Sequence, residues 1–470
     1  MQRIIGLVVA TLAFSSLSGV PAVANTASAD DAYAFAQGRN FDQGRQRGAA
    51  VDVAALLTAA RGAPPMICSM AAHALRGWGW NDWSDAPSTP LASVSGVVND
   101  DFHSDVFAAA DVQRLFAGLS SDDACVRELS VRLIGTQKAE LVGSELVTRL
   151  GSSDPALRSV AALGIGLAEV QAGVDPLIRT LRDASIDVRA NSAWALGRLE
   201  NGRALNPLVG LFRDDAEKVR LAAVSAVGHM DDSTSSIPAL IRVVRQDNSP
   251  AVRRVAAWAL GKLEAREAID ALSEALARDA DARVREMSAW ALGNIEDRRS
   301  VAALGAAIRG DAEDRVRESA VWALGNIGDH SSIDILGAAT GDRSANVRGT
   351  AAWAIGQMDD NGTKAPAGLL RLLSDDNADT RLKAAWALGQ LEDAGALPAI
   401  RDALKVEKND RVRRGLIRAL MKSGESSQAT LTQLLTSSDP QIREAAVRGI
   451  AGARSFDPWP WPWPRPRPFP

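Results

Sequence analysis

The sequence predicts an all-α protein: a right-handed α-solenoid of about eleven two-helix repeats with an irregular N-terminal cap. The first observation is a motif close to VRxxAAWALGxL that recurs along most of the 470 residues. The second is its regularity, because the motif arginines follow one another at intervals of 30 to 33 residues. Such a period is typical of arrays in which each unit packs only on its neighbours. The motif arginines are Arg127, Arg158, Arg189, Arg220, Arg253, Arg285, Arg317, Arg348, Arg381, Arg413 and Arg443.

Each period holds two predicted helices. Between two motifs lies a second apolar segment, for example residues 268–279 or 332–342, and short turns rich in Asp, Ser, Pro and Asn separate the two. Neither helix can bury its apolar face alone, so the array must form its core by stacking. This pattern resembles the HEAT repeats of the phycobilisome-lyase (E–Z) type over about residues 111–453. The resemblance implies the fold and says almost nothing about function.

The N-terminal segment predicts export. Residues 1–24 combine a positive charge at Arg3, an apolar stretch too short to span a membrane, and an A-x-A site that ends at Ala24. We expect a signal peptide that is cleaved after Ala24 and a mature protein in the periplasm or outside the cell. Residues 25–50, rich in Ala, Ser, Asp and Gly, read as a flexible leader.

Two regions flank the array. Residues 51–110 read as an N-terminal cap with a degenerate helix pair, since terminal repeats must shield an array from water. Residues 454–470 alternate proline with Trp, Arg and Phe, which excludes helix and predicts an extended tail. Three roles for this tail stay open: docking in a groove of the protein itself, contact with an anionic membrane surface, or a plain solvated end.

The chain has two cysteines, Cys68 and Cys125, too few for a disulfide-built scaffold. In an oxidising compartment we expect them to form a disulfide that ties the cap to the first regular repeat. The alternative is a pair of buried free thiols.

Most motif arginines follow an aspartate by two to six residues. This spacing predicts a ladder of Arg–Asp pairs that links neighbouring turns, with a row of phosphate-binding arginines as the alternative. The aspartates are Asp187, Asp215, Asp247, Asp281, Asp314, Asp342, Asp379 and Asp439.

The motif tryptophans predict a row on one face. Counting the motif arginine as position 0, with ~100° per helical residue, positions −1, +3, +6 and +7 form the core stripe. Position +5 falls on the opposite side, and a contiguous exposed apolar row usually marks a binding site. The alternative is a tryptophan ladder that packs on itself between repeats. Position +5 holds Trp194, Trp258, Trp290, Trp322, Trp353 and Trp386.

Amides stand one helical turn after four of these tryptophans, at Asn294, Asn326, Gln357 and Gln390. Over residues 290–390 this resembles the Trp–Asn arrays of armadillo proteins such as importin-alpha. The resemblance implies that the amides hold the main chain of an extended peptide while the indoles flank its side chains. The sequence departs from that pattern at the two glutamines. Two further candidates, Glu286 and Glu318, would favour basic side chains in the ligand.

Several function classes are excluded or disfavoured. A net charge of −4 and a pI of 5.8 argue against nucleic-acid binding. The chain contains no HExxH, CxxC, P-loop or G-x-S-x-G motif and its four histidines are scattered, so we predict no metal, cofactor or catalytic site. HEAT-like hydroxylases of the deoxyhypusine type use His-Glu dipeptides, which are absent here, and bilin lyases act on cytoplasmic proteins.

The sequence therefore predicts an exported, non-enzymatic scaffold. Its partner would be an extended polypeptide segment, the chain's own tail among the candidates, held in a groove of Trp, Asn and Gln side chains. A glycan-binding module is the first alternative, because Trp faces beside amides also suit sugar rings. A HEAT-like lyase or hydroxylase is the second.

Overall fold

The computed structural model describes residues 52–64, 107–230, 233–358, 363–425, 427–437 and 440–450. Within these ranges the chain forms 23 α-helices and short 3-10 turns, and no strand. The predicted signal peptide, the leader, most of the cap and the tail lie outside the described residues. None of the described helices is long and apolar enough to cross a membrane.

The helices follow one another as a repeated pair, in which an even-numbered helix precedes each motif helix from α3 to α23. They are α1 (Val53–Ala60), α2 (Ala109–Gly118), α3 (Ala124–Ile134), α4 (Ala139–Arg149), α5 (Pro155–Leu167), α6 (Val174–Thr180), α7 (Ile186–Leu199), α8 (Leu205–Gly210), α9 (Glu217–His229), α10 (Ile237–Gln246), α11 (Pro250–Lys262), α12 (Ile269–Arg278), α13 (Ala282–Ile295), α14 (Val301–Gly310), α15 (Asp314–Ile327), α16 (Ile333–Ala339), α17 (Ala345–Gln357), α18 (Ala367–Arg371), α19 (Ala378–Leu391), α20 (Leu397–Val406), α21 (Asp410–Lys422), α22 (Gln428–Leu435) and α23 (Pro440–Ile450).

The sequence sets both ends of a motif helix. At the start of α13 the Asp281 carboxylate accepts hydrogen bonds from the amides of Arg283 and Val284 in the first helical turn. The same helix is followed by Glu296 in the left-handed region, with φ of 51°. Such an end residue stops the helix and turns the chain towards the next pair.

The core lies between the two helices of each pair and between consecutive motif helices. In α13 the predicted core positions hold Val284, Ser288, Ala291 and Leu292, and all four are fully buried. Motif helices also pack on neighbouring motif helices, as α15 does on α13 and α17. The predicted all-α solenoid of two-helix repeats is therefore confirmed.

The chain divides into two compact units, Met1–Ala226 and Val227–Pro470. The division falls within α9, the motif helix that has Ser225 where six other copies have tryptophan. Most of the candidate residues belong to the second unit.

The first described helix, α1, packs on the first motif helix. Ala60 shares an apolar cluster with Cys125 and Leu129, and the Gly62 amide donates to the Asp123 carboxylate at 2.7 Å. That backbone bond is the largest cause that holds the pKa of Asp123 below its ordinary value. Cys125 is disulfide-bonded, and Cys68 lies outside the described residues, so the pairing itself stays a prediction.

Candidate functional site

The motif arginines form a row of double ion pairs, which we call the rung row. In α15, Arg317 donates to both carboxylate oxygens of Asp342 at 2.7 and 2.9 Å, and to the Asp311 carbonyl oxygen at 2.9 Å. Each arginine thus joins the turn before its own helix to the turn that precedes the next motif helix. The pairs are Arg158–Asp183, Arg189–Asp214, Arg253–Asp279, Arg285–Asp311, Arg317–Asp342, Arg348–Asp375 and Arg381–Glu407.

The predicted ladder exists, but the predicted partners are mostly wrong. The accepting carboxylate follows the arginine by 25 to 27 residues, whereas the sequence pointed to an aspartate just before it. Asp281, for example, caps its own helix, while Asp342 does accept from an arginine, that of the preceding repeat. Because the guanidinium nitrogens are engaged with a carboxylate and backbone carbonyls, the rung row does not present them to a phosphate.

These pairs shift the carboxyl pKa values. For Asp183 the hydrogen bond from Arg158 is the largest cause and lowers the pKa. For Asp279, burial is the largest cause and raises the pKa, but the Arg253 guanidinium and backbone amides outweigh it, so the pKa lies below its ordinary value. The rung row therefore stabilises the ionised form of its acids.

The tryptophans at position +5 are packing residues, and the expectation of an exposed row is wrong for four of the six. Trp194, Trp322, Trp353 and Trp386 are at most 8% exposed, while Trp258 and Trp290 are part-buried. Each indole lies against the motif glycine of the preceding repeat, where an added Cβ would lie 2.6 to 3.0 Å from Cζ3 of the ring. The contacts are Gly166–Trp194, Gly228–Trp258, Gly261–Trp290, Gly293–Trp322, Gly325–Trp353 and Gly356–Trp386.

The physical reason is the neighbouring motif helix. A helical projection assigns one buried side to each helix, but a motif helix inside the array is buried against its paired helix and also against other motif helices. The side of α15 that faces away from its own core stripe is covered by α13, through the close approach of Gly293 to the Cα of Ala323. Glycine at position +8 makes room for the indole.

The amides at position +9 differ from one another. Asn294 and Asn326 are part-buried and Gln357 is exposed. Gln390 accepts a hydrogen bond from the Lys422 ammonium at 2.6 Å, so its carbonyl oxygen is already used. In the earlier copies, position +9 holds Lys262, whose Nζ lies 5.9 Å from the centre of the Trp258 ring, and Arg198, which pairs with Glu169.

Glu286 and Glu318 are part-buried, at position +1 of consecutive motif helices. The Thr350 hydroxyl donates to Glu318 at 3.3 Å. Glu286 makes no hydrogen bond and no ion pair within the part of the chain that the structure describes. Burial is the largest cause that raises the pKa of both carboxyls, although the charge of Arg315 opposes it in each case.

The structure therefore brings together five of the predicted site residues on α13 and α15, which we call the acidic face. Trp258, on the neighbouring helix α11, adds a second part-buried indole. Two charged neighbours of this face are not among the predicted residues: Arg254, at position +1 of α11, and Arg315, at position −2 of α15. The acidic face consists of Glu286, Trp290, Asn294, Glu318 and Asn326.

The sequence model of HEAT repeats matches residues 143–228, 210–293, 237–324, 301–367 and 366–451. The chain belongs to the HEAT-repeat family. No curated protein matches it in sequence. Within the described ranges no group of three or more His, Cys, Asp or Glu side chains could hold a metal ion.

Among solved structures the HEAT-repeat chain is similar in fold to Kap95 in a Kap95:Nup1 complex, with a TM-score of 0.51 and 15% identity over 73% of this chain and 57% of that one. Kap95p bound to RanGDP gives a TM-score of 0.41 and 16% identity over 73% and 60%. An engineered protein gives 0.40 and 19% identity over 74% and 99%. This chain thus spans little more than half the length of the Kap95 chains that it matches.

Proposed function

We propose that this HEAT-repeat protein is an exported, non-enzymatic scaffold that binds an extended polypeptide with basic side chains on its acidic face. The observation that carries the proposal is the state of Glu286. A part-buried carboxylate loses hydration, and at Glu286 this loss is offset only by the charges of Arg315, Arg254 and Arg283, with none of which it forms an ion pair. A guanidinium or ammonium group from a ligand would be the missing partner of Glu286. The carboxylates of the rung row differ, because an arginine of the same chain is already their partner.

The neighbouring side chains suit the rest of such a ligand. The Trp258 and Trp290 rings keep part of their surface accessible, and cationic side chains stack favourably over indole faces. Asn294 and Asn326 each carry donors and an acceptor that match a peptide main chain. From the armadillo resemblance the proposal thus keeps the two asparagines and leaves out Gln390.

The spacing of the helices predicts the ligand's pattern. Neighbouring helices pack ~8–10 Å apart, and an extended chain rises ~3.3 Å per residue. One repeat therefore corresponds to about three ligand residues. Basic side chains about three positions apart would meet Glu286 and Glu318 in turn.

Two further observations support parts of the proposal. Kap95, whose fold this chain shares, has been solved in complex with the protein Nup1, which is consistent with binding of a protein partner. The disulfide at Cys125 supports export, because disulfides persist in oxidising compartments, and the predicted signal peptide points the same way.

The test measures binding of a fluorescein-labelled, proline-containing dodecapeptide with two arginines three residues apart. Glu286→Gln/Glu318→Gln keeps the shape of both side chains and removes both charges. Since a hydrogen bond to a charged group contributes about 1.5–3 kcal/mol, we expect binding to weaken at least about tenfold. The matched control is Glu264→Gln/Glu296→Gln, which changes two exposed glutamates at the ends of α11 and α13.

Salt separates this proposal from its alternative. Binding of the arginine peptide should weaken steeply with added NaCl, because partly exposed charges are screened. A protein that ignores the peptide and instead binds a neutral oligosaccharide, with no salt dependence, would be a glycan-binding module. Equal peptide affinities for the wild type and Glu286→Gln/Glu318→Gln would show that the acidic face is not the site.

A further inference from the structure

We propose that the chain's own residues 456–470 occupy the acidic face of the same molecule. This inference rests on the proposed function, and it names the first partner of that site. The segment reads FDPWPWPWPRPRPFP, so it carries three indoles and two guanidinium groups on a proline-rich backbone. A guanidinium group is a partner that a part-buried carboxylate beside indole rings would bind.

Charge complementarity is the first argument. Arg465 and Arg467 outnumber the single acidic side chain of the segment, Asp457, so its side chains together carry a positive charge. A guanidinium group binds a carboxylate with two parallel hydrogen bonds and is weakly hydrated, which lowers the cost of placing it at a part-buried site. The rung row shows this geometry seven times within the described residues, whereas Glu286 has no such partner there.

Reach is the second argument. From α23, which ends at Ile450, α15 is four motif helices away and α13 five, so at ~8–10 Å for each step they lie roughly 32–50 Å away. In a polyproline II conformation of ~3.1 Å per residue, Arg465 stands about 47 Å beyond Ile450 and Arg467 about 53 Å. Both arginines can therefore reach α15 and α13, although their separation of two residues is shorter than the spacing of about three residues that matches one repeat.

The low cost of ordering is the third argument. Prolines at alternate positions restrict the backbone before binding, so docking loses less conformational entropy than it would for an ordinary segment. A tethered segment also experiences a local concentration in the millimolar range. Even a weak interaction with the acidic face would therefore keep it occupied.

The test titrates a fluorescein-labelled peptide of residues 456–470 into three proteins: the full chain, the chain lacking 456–470, and the full chain with Arg465→Gln/Arg467→Gln. We expect the peptide to bind the deletion variant. With a free affinity of about 10 µM and a millimolar local concentration, the full chain should bind it about a hundredfold more weakly. The Arg465→Gln/Arg467→Gln protein should behave like the deletion variant.

Site variants in the deletion background locate the contact. Glu286→Gln/Glu318→Gln should abolish binding of the 456–470 peptide, and the control Glu264→Gln/Glu296→Gln should leave it unchanged. Equal affinity of the peptide for the full chain and the deletion variant would overturn the inference. So would a concentration-dependent dimer that dissociates when 456–470 is removed, since the tail would then occupy a neighbouring molecule.

Failure of this inference can be told apart from failure of the proposed function. If the deletion variant ignores the 456–470 peptide but binds the arginine dodecapeptide, the tail is not the occupant and the acidic face is still a site. If it binds neither peptide, both proposals are wrong. If removal of 456–470 abolishes binding to anionic lipid vesicles and leaves peptide titrations unchanged, the tail contacts membranes instead of the acidic face.

Discussion

The rung arginines of α13 and α15 stand at position 0, directly before the glutamates of the acidic face at position +1, yet the two kinds of side chain differ in their partners. At position 0 the residue is arginine in copy after copy, and Arg317, for instance, is bonded to both oxygens of Asp342. At position +1 the residue varies along the array, from Arg254 through Glu286 and Glu318 to Gly349, and Glu286 makes no hydrogen bond or ion pair within the described residues. Residues that are the same in most copies are those that the stacking of the repeats requires. Residues that vary between copies are those that a ligand could recognise.

The tryptophans belong with the arginines in this comparison. In each of the six copies that carry an indole, a glycine of the preceding motif helix receives it, whereas Gly197 and Gly389 precede copies that have Ser225 and Arg418 at that position. The repeated tryptophans therefore serve the packing of one motif helix on the next. What remains accessible of Trp258 and Trp290 is the part that a ligand could use.

Low pH should have the largest effect on stability, because it protonates all the carboxylates of the rung row together. The rung acids have a lowered pKa in the folded chain, as Asp183 and Asp279 do. Their contribution to stability is therefore complete above the unfolded value of about 4 and is lost as the pH falls through the lower folded values. We expect the free energy of unfolding in urea to drop between about pH 4 and pH 2.

Asp279→Asn is the matched variant for this measurement, since it removes one carboxylate from the rung row and should flatten the pH dependence. A free energy of unfolding that stays constant from pH 5 to pH 2 in the wild type would contradict a stabilising role for these pairs.

The next largest effect tests the tryptophans. Trp322→Ala removes a buried indole that lies against Gly293, and such truncations cost about 3–5 kcal/mol. The part-buried Trp258→Ala should cost less. Urea unfolding of both variants checks this, and a Trp322→Ala protein that keeps its stability while losing peptide binding would restore the interpretation of an exposed binding row.

The fold followed from the sequence because period, apolar spacing and turn residues all agree on stacked helix pairs. The site did not, and Trp322 and Glu286 show why. A helical projection treats one helix by itself, whereas the burial of Trp322 depends on a glycine 29 residues earlier in the chain. Whether Glu286 forms an ion pair depends on the side chains of α11 and α15 around it, Arg254 and Arg315 among them, which the period alone does not specify. The spacing of the sequence identifies the residues that are repeated. A binding surface depends on residues that differ between copies, which the spacing does not identify.

The smallest expected effect is a gain in stability when the charges of Glu286 and Glu318 are removed. Burial raises the pKa of Glu286 and Glu318, so their ionised forms destabilise the folded chain above that pKa and the penalty disappears as the carboxyls are protonated. Glu286→Gln/Glu318→Gln should therefore be more stable than the wild type at pH 7, by less than about 1 kcal/mol, and equal to it near pH 4.

Thermal melts at the two pH values measure this difference, with Glu264→Gln/Glu296→Gln as the control that should show none. A loss of stability in Glu286→Gln/Glu318→Gln at pH 7 would mean that the two carboxylates already have partners inside the fold. A gain in stability with a loss of binding is the signature expected of residues retained for a ligand.

The contact between glycine and tryptophan also bears on how such an array can evolve. The indole comes from one copy and the glycine that receives it from the copy before, just as a rung arginine and its carboxylate come from successive turns. After duplication or deletion of one whole period, the two copies that become neighbours can still form the contacts between indole and glycine and between arginine and carboxylate. Unequal recombination within the gene can lengthen or shorten the array without inventing a new interface, so individual copies such as those of Glu286 and Glu318 are free to diverge.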